Sequence, residues 1–181
     1  MSTTEKPLLI LDVDETLLFA TEEPLAWQHD FRVGPYYVYL RPYLTQFWEK
    51  SRHEFELAVW SSSGEDYLSA VLEVIVPAYI ELLFAWSRDH CVQRLDPETK
   101  QRYFVKDLKK VKRKGFNLDR VLIVDDTPRK VERNFGNAVY VNSFFGDRND
   151  DELVKLAAYL TSLRRHSNFR NIEKRRWQNQ V

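Results

Sequence analysis

The sequence predicts an α/β fold with a central, mainly parallel sheet flanked by helices, and three observations support this. Short apolar runs recur along the chain, and such runs are typical of strands buried on both faces. Segments with apolar residues at helical spacing lie between the runs. A length of 181 residues fits one domain of ordinary size. Strands that alternate with helices imply a parallel sheet with helices packed against it.

The predicted strands are apolar runs that end next to polar residues. They are Leu8–Leu11, Phe55–Trp60, Leu82–Ala85, Val121–Val124 and Ala138–Val141. The residues that follow include aspartates, serines, an arginine and an asparagine. A polar group directly after a buried run marks the point where a strand reaches the surface.

The predicted helices carry their apolar residues on one side. They are Pro42–Lys50, Glu65–Val76, Pro128–Asn134 and Asp150–Leu163. Proline suits the first position of a helix, so Pro42 is predicted to open the first helix and Pro77 to end the second. Two segments lack a sustained helical period and read as insertions. Phe19–Tyr36 resembles a flap or hairpin, and Cys91–Val105 is predicted to be a hairpin around a turn at Asp96–Thr99.

Composition excludes several classes of protein. The chain has 27 basic and 27 acidic residues, so it is not a uniformly basic nucleic-acid binder. Its apolar content of 44% is too high for a disordered protein. The single cysteine, Cys91, rules out an intramolecular disulfide and a cysteine-based zinc site, and it favours a reducing compartment.

No feature of the sequence predicts secretion or membrane insertion. The segment Met1–Pro7 is polar and lacks the apolar stretch of a signal peptide. The most apolar window, Ala70–Trp86, is interrupted by glutamates and a proline, so no membrane insertion is expected. We therefore expect an intracellular, soluble protein, either cytoplasmic or nuclear.

The polar residues at the strand ends are predicted to form one site. In parallel sheets, ligands bind at the carboxyl ends of the strands. Asp12, Asp14, Asp125 and Asp126 would place four carboxylates there. Like charges at close range are costly unless a cation lies among them, and magnesium suits one or two carboxylates together with phosphate oxygens. This reasoning predicts Mg2+ but not a reaction.

A motif adds the reaction. Asp12-Val13-Asp14-Glu15-Thr16 follows a predicted strand and matches the Asp-x-Asp-x-Thr signature of haloacid-dehalogenase-type phosphatases. Ser61, Lys106 and the pair Asp125-Asp126 follow in the order in which that superfamily has its remaining motifs. The chain thus resembles this superfamily, which implies a Rossmann-like fold.

The resemblance is closer to one family, the small RNA polymerase II C-terminal-domain phosphatases, which resemble NLI-interacting factors. It covers roughly residues 7–162. The segments that carry it are Asp12–Leu17, Arg41–Pro42, Arg88–Val92, Val105–Leu108 and Val121–Pro128. The resemblance implies a magnesium-dependent phosphatase that acts on phosphoserine and phosphothreonine in proteins.

The resemblance and general phosphoryl-transfer chemistry together suggest the catalytic roles. Asp12 would attack phosphorus and form an aspartyl-phosphate, and Asp14 would act as general acid and then as general base. Lys106 would neutralise charge on the phosphoryl group. Asp12, the backbone carbonyl of Asp14, and Asp126 would hold the metal. Asp125 would orient Lys106 or a water molecule on the metal.

Other motif residues are predicted to contact the substrate or shape the loop. Thr16 would help to fix the loop, and Ser61 with Ser62 would bind a phosphoryl oxygen. Arg88 would hold either a phosphate oxygen or a peptide carbonyl. Two positions depart from the family pattern: Ser61 replaces the usual threonine, and Asp126 replaces the asparagine usual in small members.

The spacing of the motifs leaves room for small hairpin insertions but not for a large cap domain. An open site favours a phosphate that projects from a large molecule, such as a phosphoprotein or phosphopeptide. A phosphatase for a nucleic-acid end or a small metabolite is an alternative, and a non-catalytic scaffold on a phosphatase fold is another.

The basic residues concentrate in two segments, Lys106–Lys114 and the tail. We divide the chain into a phosphatase domain, residues 1–163, and a basic C-terminal tail, residues 164–181. The tail carries six basic residues against Glu173 alone. Nucleic acid could bind through these segments, although such runs are more often solvated faces. Trp177 could stack on a partner or pack back on the domain.

Overall fold

The computed structural model describes residues 6–181, so residues 1–5 of the predicted polar start and of the predicted domain lie outside the described residues. The strands are β1 (Leu8–Leu11), β2 (Leu18–Thr21), β3 (Phe31–Val33), β4 (Tyr36–Leu40), β5 (Glu56–Trp60), β6 (Leu82–Trp86), β7 (Val92–Leu95), β8 (Arg102–Val105), β9 (Val121–Asp125) and β10 (Ala138–Tyr140). The α-helices are α1 (Leu44–Glu54), α2 (Glu65–Ile75), α3 (Lys109–Arg113) and α4 (Glu152–Leu163).

Five parallel strands form the central sheet in the order β10-β9-β1-β5-β6. All five correspond to predicted strands, so the predicted α/β class with a mainly parallel sheet is confirmed. Every residue of β1 is buried, as expected for a strand covered on both faces. Leu11 pairs with Val124 of β9, so both strands end at the same level and place Asp12 beside Asp125.

Helices α1 and α4 lie together, and the apolar residues of both contribute to the larger core. Trp48 of α1 is fully buried there, together with Leu156 of α4. The predicted start of the first helix at Pro42 is wrong by two residues. Tyr43 adopts a left-handed φ of 65°, which is incompatible with helical continuation, and α1 begins only after it.

The segments between the sequence motifs form two small antiparallel units. The first, which was predicted to be a flap or hairpin, is a three-stranded sheet in the order β2-β4-β3, so it has one strand more than a hairpin. The second is the predicted hairpin, β7-β8. Helix α3 follows β8 and is not among the helices predicted from the sequence. The predicted helix at Pro128 is a 3-10 segment, Pro128–Asn137, interrupted at Val131 and Asn134.

Residues 164–181, hereafter the C-terminal segment, pack against the domain. Phe169 and Trp177 are buried in the larger core. The Trp177 ring stacks on Tyr159 of α4, and its Nε1–H donates to the Tyr140 carbonyl at 2.6 Å. Of the two readings for Trp177, the structure shows packing on the domain.

The helices formed by residues 6–181 are all too short or too polar to cross a membrane.

Candidate active site

Three carboxylates meet where β1 and β9 end. Asp12 follows β1 directly, while Asp125 ends β9 and Asp126 comes next. Each offers one oxygen such that all three oxygens lie within 4.8 Å of one another. We call these residues the carboxylate triad. Asp12 and Asp125 are almost completely buried, so charges are concentrated where water cannot screen them.

Lys106 neutralises one side of the triad. The hairpin β7-β8 delivers it directly after β8, with its side chain fully buried. Its Nζ donates to Asp12 Oδ1 at 2.5 Å and to Asp125 Oδ2 at 2.6 Å. Burial would lower the pKa of Lys106, but the two carboxylates outweigh burial and raise it. Lys106 is therefore a fixed positive charge beside Asp12.

A second ammonium group, from Lys130, lies on the other side of the triad. Its Nζ is 3.4 Å from Asp12 Oδ2, 3.5 Å from Asp126 Oδ1 and 4.0 Å from Asp125 Oδ1. Sequence reasoning did not identify Lys130. The available signal was its spacing of four residues from Asp126, which is a common ion-pair spacing.

The two lysines set the charge state of the buried aspartates. Burial alone would raise the pKa of Asp12, but Lys106, Lys130 and hydrogen bonds bring it below its ordinary value. The opposite balance holds at Asp125, where burial and then the charge of Asp12 raise the pKa. Asp12 is consequently held as a carboxylate, the form that a nucleophile requires.

Asp14 lies two residues after Asp12, and its carboxylate is directed to different partners. Ser63 Oγ donates to Asp14 Oδ2 at 2.6 Å, and the Tyr67 hydroxyl donates to Oδ1 at 2.6 Å. Burial and the charge of Asp14 raise the pKa of Tyr67, which keeps it a donor. Neither partner was predicted, although Ser63 belongs to the serine run that follows β5.

Of the predicted substrate-binding residues, Ser61 lies beside Asp14, and Arg88 contacts the neighbouring Ser62. Ser61 is buried, and its Oγ is 3.5 Å from Asp14 Oδ2. Arg88 is exposed, and its Nε donates to the Ser62 carbonyl at 2.7 Å while its guanidinium lies over the Phe104 ring. Within residues 6–181, Arg88 makes no salt bridge, which leaves its terminal nitrogens available to an anion.

The loop after β1 is held from behind. Thr16 Oγ1 donates to Asp12 Oδ2 at 3.2 Å. The buried Arg41 donates to the Thr16 carbonyl at 3.0 Å and makes two 2.8 Å bonds to Asp150. Through these contacts Arg41 fixes the backbone of the loop that carries both Asp12 and Asp14.

The triad fits a hard divalent cation. Magnesium prefers carboxylate oxygens and is usually bound through one or two carboxylates plus water and phosphate oxygens. Asp12, Asp125 and Asp126 present such oxygens close together, and Asp126 is the least buried of them. Its two oxygens accept from Ser143 Oγ at 2.7 Å and from Thr127 Oγ1 at 2.9 Å, which orient it toward the other two.

The concentration of negative charge also affects the pKa of a further acidic residue, Glu15. Glu15 is half-buried, and burial together with the charge of Asp14 raises its pKa to about 7. Its backbone has a φ of 57°, the left-handed region, and its carbonyl accepts from Phe144 N–H at 2.8 Å. Glu15 is thus a carboxyl group that the site holds partly protonated near neutral pH.

The chain is similar to known proteins of one family. A family model described as NLI interacting factor-like phosphatase matches residues 7–170. CTD small phosphatase-like protein 2 of Dictyostelium discoideum is 32% identical over 162 residues, covering 86% of this chain and 27% of that protein. CTD small phosphatase-like protein 3 of Caenorhabditis elegans is 28% identical over 167 residues, covering 88% of this chain and 55% of that protein. This chain thus spans about a quarter and about half of the lengths of these two relatives.

The fold also matches a solved structure. The structure of Fcp1, described as an essential RNA polymerase II CTD phosphatase, superposes with a TM-score of 0.67 and 18% identity. The match covers 88% of this chain and 62% of that one. The predicted Rossmann-like fold of haloacid-dehalogenase type is confirmed.

Proposed function

This chain belongs to the NLI interacting factor-like phosphatase family, and from that premise we propose that it hydrolyses phosphomonoesters in a magnesium-dependent reaction through an aspartyl-phosphate at Asp12. The observation that carries the proposal is the setting of Asp12. This buried carboxylate lies between two ammonium groups, and a second, more accessible carboxylate stands two residues away. A nucleophile beside a general acid and base is the arrangement that phosphoryl transfer requires.

The first half of the reaction forms the intermediate. An Asp12 carboxylate oxygen attacks phosphorus, and the bond between phosphorus and the substrate oxygen breaks. Asp14, in its protonated form, gives its proton to that leaving oxygen, and the alcohol departs. Lys106 neutralises the negative charge that accumulates on Asp12 and the phosphoryl oxygens.

The second half regenerates the enzyme. Asp14, now a carboxylate, takes a proton from a water molecule, which attacks phosphorus and breaks its bond to Asp12. Inorganic phosphate leaves. The contacts of Asp14 with Ser63 and Tyr67 position its carboxylate, and the Ser61 hydroxyl lies close enough to contribute to binding phosphoryl oxygens.

We assign the metal to Asp12 and Asp126, with the backbone carbonyl of Asp14 as the ligand that the family resemblance adds. When bound, Mg2+ would supply positive charge to the transferring phosphoryl group. Asp125 is assigned to orienting Lys106, since its Oδ2 lies 2.6 Å from that ammonium group. Thr16 completes the site by supporting Asp12.

We propose a phosphoserine or phosphothreonine protein as the substrate. The names of relatives that match this chain point to protein phosphatases. The structure contributes two further arguments: the units inserted between the motifs are small sheets, and Arg88 is exposed beside Ser62. A small metabolite would be enclosed more completely than this arrangement allows. We expect the protein to act inside the cell.

Hydrolysis of an aryl phosphate tests the reaction. The wild-type protein should release phosphate with Mg2+ and not with EDTA, and Asp12→Asn should abolish release. Brief incubation with substrate should add one phosphoryl group to Asp12. Acid quenching then stops the reaction, and peptide mass spectrometry detects the added group. Wild-type protein that hydrolyses nothing with Mg2+ would leave the non-catalytic scaffold as the better explanation.

A comparison of substrates tests the class. We expect kcat/KM to be highest for phosphoserine or phosphothreonine peptides, and lower for phosphorylated DNA ends and sugar phosphates. Arg88→Met should raise KM for the peptide about tenfold with little change in kcat, because its guanidinium would bind the substrate in the ground and transition states alike. A preference for DNA ends would favour the nucleic-acid alternative.

A further inference from the structure

Lys130 lies where it would share the carboxylate oxygens with a metal ion. Lys106 uses Asp12 Oδ1 and Asp125 Oδ2, whereas Lys130 faces the other oxygen of each residue together with Asp126 Oδ1. The two lysines therefore divide the triad between them. Asp126 has no contact with Lys106 and belongs entirely to the side of Lys130.

The contacts of the two lysines differ in strength. Lys106 Nζ lies 2.5 and 2.6 Å from its two oxygens, which are tight charge-assisted hydrogen bonds. Lys130 Nζ stands 3.4 to 4.0 Å from three oxygens, so it neutralises the group without a close bond to any member. Its side chain is also 19% exposed, whereas that of Lys106 is fully buried. Lys130 is thus the lysine whose ammonium group can move away from the carboxylate triad.

The backbone around Lys130 lets its side chain move while its Cα stays fixed. The Lys130 carbonyl accepts from Lys106 N–H at 2.7 Å, and its N–H donates to the Thr127 carbonyl at 3.0 Å. Both bonds involve main-chain atoms only. A flexible side chain of four methylene groups on this anchored backbone can swing away from the triad without disturbing the loop that carries Asp126.

From these contacts we propose that Lys130 is an internal cation that competes with Mg2+ for the carboxylates of Asp12 and Asp126, and so sets the metal affinity of the site. In metal-free protein it stabilises the three like charges. Binding of Mg2+ displaces its ammonium group toward solvent, since two cations cannot share the same oxygens at close range. This inference rests on the proposed metal site but not on the phosphatase reaction.

Calorimetric titration of EDTA-stripped protein with MgCl2 tests the competition. Lys130→Met keeps the apolar stem and removes the charge, and it should bind Mg2+ about tenfold or more tightly than wild type. Its melting temperature without metal should be lower, and the rise on adding Mg2+ larger. Lys130→Arg should keep the weaker affinity. Lys109→Met, which removes an exposed charge on α3, is the matched control and should bind Mg2+ like wild type.

A measurement on wild-type protein covers the case in which Lys130→Met does not fold. Mg2+ should increase the rate at which an amine-reactive reagent labels Lys130 severalfold relative to Lys109, measured by mass spectrometry. Equal or weaker Mg2+ binding by Lys130→Met, or labelling of Lys130 that is unchanged or slowed by Mg2+, would overturn the competition alone. If neither wild type nor Lys130→Met binds Mg2+, the metal site of the proposed function fails as well.

Discussion

The carboxyl end of the central sheet and the C-terminal segment both bury side chains, but side chains of opposite chemical character. At the sheet end, Asp12, Asp125 and Lys106 place charges in the interior. The C-terminal segment instead inserts two aromatic side chains, Phe169 and Trp177, and leaves most of its basic residues exposed. Buried charges are costly unless they are fully paired, whereas buried aromatic surface stabilises directly.

The contrast indicates where function and stability reside. Four aspartates, Asp12, Asp14, Asp125 and Asp126, share the sheet end with two ammonium groups, so negative charge is in excess there. Such an excess of negative charge is favourable only where a cation is to be bound. The C-terminal segment has no comparable cluster, and its contacts tie α4 to β10. The two regions should therefore respond differently to substitution.

The largest expected effect is the loss of activity in Asp12→Asn without loss of stability. We expect kcat to fall about 10⁴-fold or more, because the amide is not a nucleophile. The melting temperature should stay close to that of wild type: the two lysines stabilise the Asp12 carboxylate and lower its pKa, but the amide oxygen of asparagine can still accept from Lys106. The exposed Asp66→Asn on α2 is the control and should change neither quantity. A melting temperature several degrees lower would contradict the assignment of the negative charge to function.

Lys106→Met should damage activity and stability together. The loss of its positive charge should lower kcat about 10²- to 10³-fold. It also leaves Asp12 and Asp125 buried without their closest cation, which is expected to cost about 3 kcal/mol in the free energy of unfolding. Phosphatase assays and urea unfolding measure the two quantities. The control Lys109→Met should be neutral in both, and a neutral Lys106→Met would show that Lys130 alone suffices.

The parts of the molecule that could be predicted from sequence are those with local patterns. The five parallel strands are recognisable as apolar runs. Asp12 and Asp14 follow the first of these runs, and the pair Asp125-Asp126 follows the run Val121–Val124. Lys130 was not predicted as a site residue because its segment reads as a regular helix in the sequence, whereas the structure interrupts that segment at Val131. Only the three-dimensional path of that segment brings its ammonium group to Asp12.

The C-terminal segment was hard to predict for a related reason. The seven residues between Phe169 and Trp177 are mostly basic or polar, so no helical or strand period marks the two aromatic residues as core. The composition suggested a basic tail beyond residue 163. Burial of the two rings depends on the surface that α4 and β10 present, which a pattern within the segment does not reveal.

Trp177→Ala should reverse the pattern expected for Asp12→Asn. Removing the ring from the core is expected to cost about 3 to 5 kcal/mol in the free energy of unfolding, measured with urea. The kcat/KM of the folded fraction should stay within about twofold of wild type, because the ring contacts Tyr159 and Tyr140 rather than the triad. Trp177→Phe, which keeps a stacked ring but loses the Nε1–H donor, should be intermediate. Trp27→Ala, at a partly exposed tryptophan, should cost less than Trp177→Ala.

The smallest effect should appear in the pH dependence of stability in EDTA, and it reports on the acidic excess itself. The pKa of Glu15 is about 7 in the folded protein against an ordinary value of 4.5, with burial and the charge of Asp14 as the causes. Between these values the folded state keeps a proton that the unfolded state has lost, so stability falls as pH rises from about 4.5 to 7 and then levels off. Glu15→Gln removes this dependence, and its free energy of unfolding should therefore gain about 1 kcal/mol on wild type between pH 5 and pH 8, allowing for solvent screening. Saturating Mg2+ should shrink the difference by adding positive charge near Glu15. The free energy of unfolding of both proteins is measured against pH in EDTA. If the two curves run parallel, the sheet end does not carry the uncompensated negative charge that distinguishes it from the C-terminal segment.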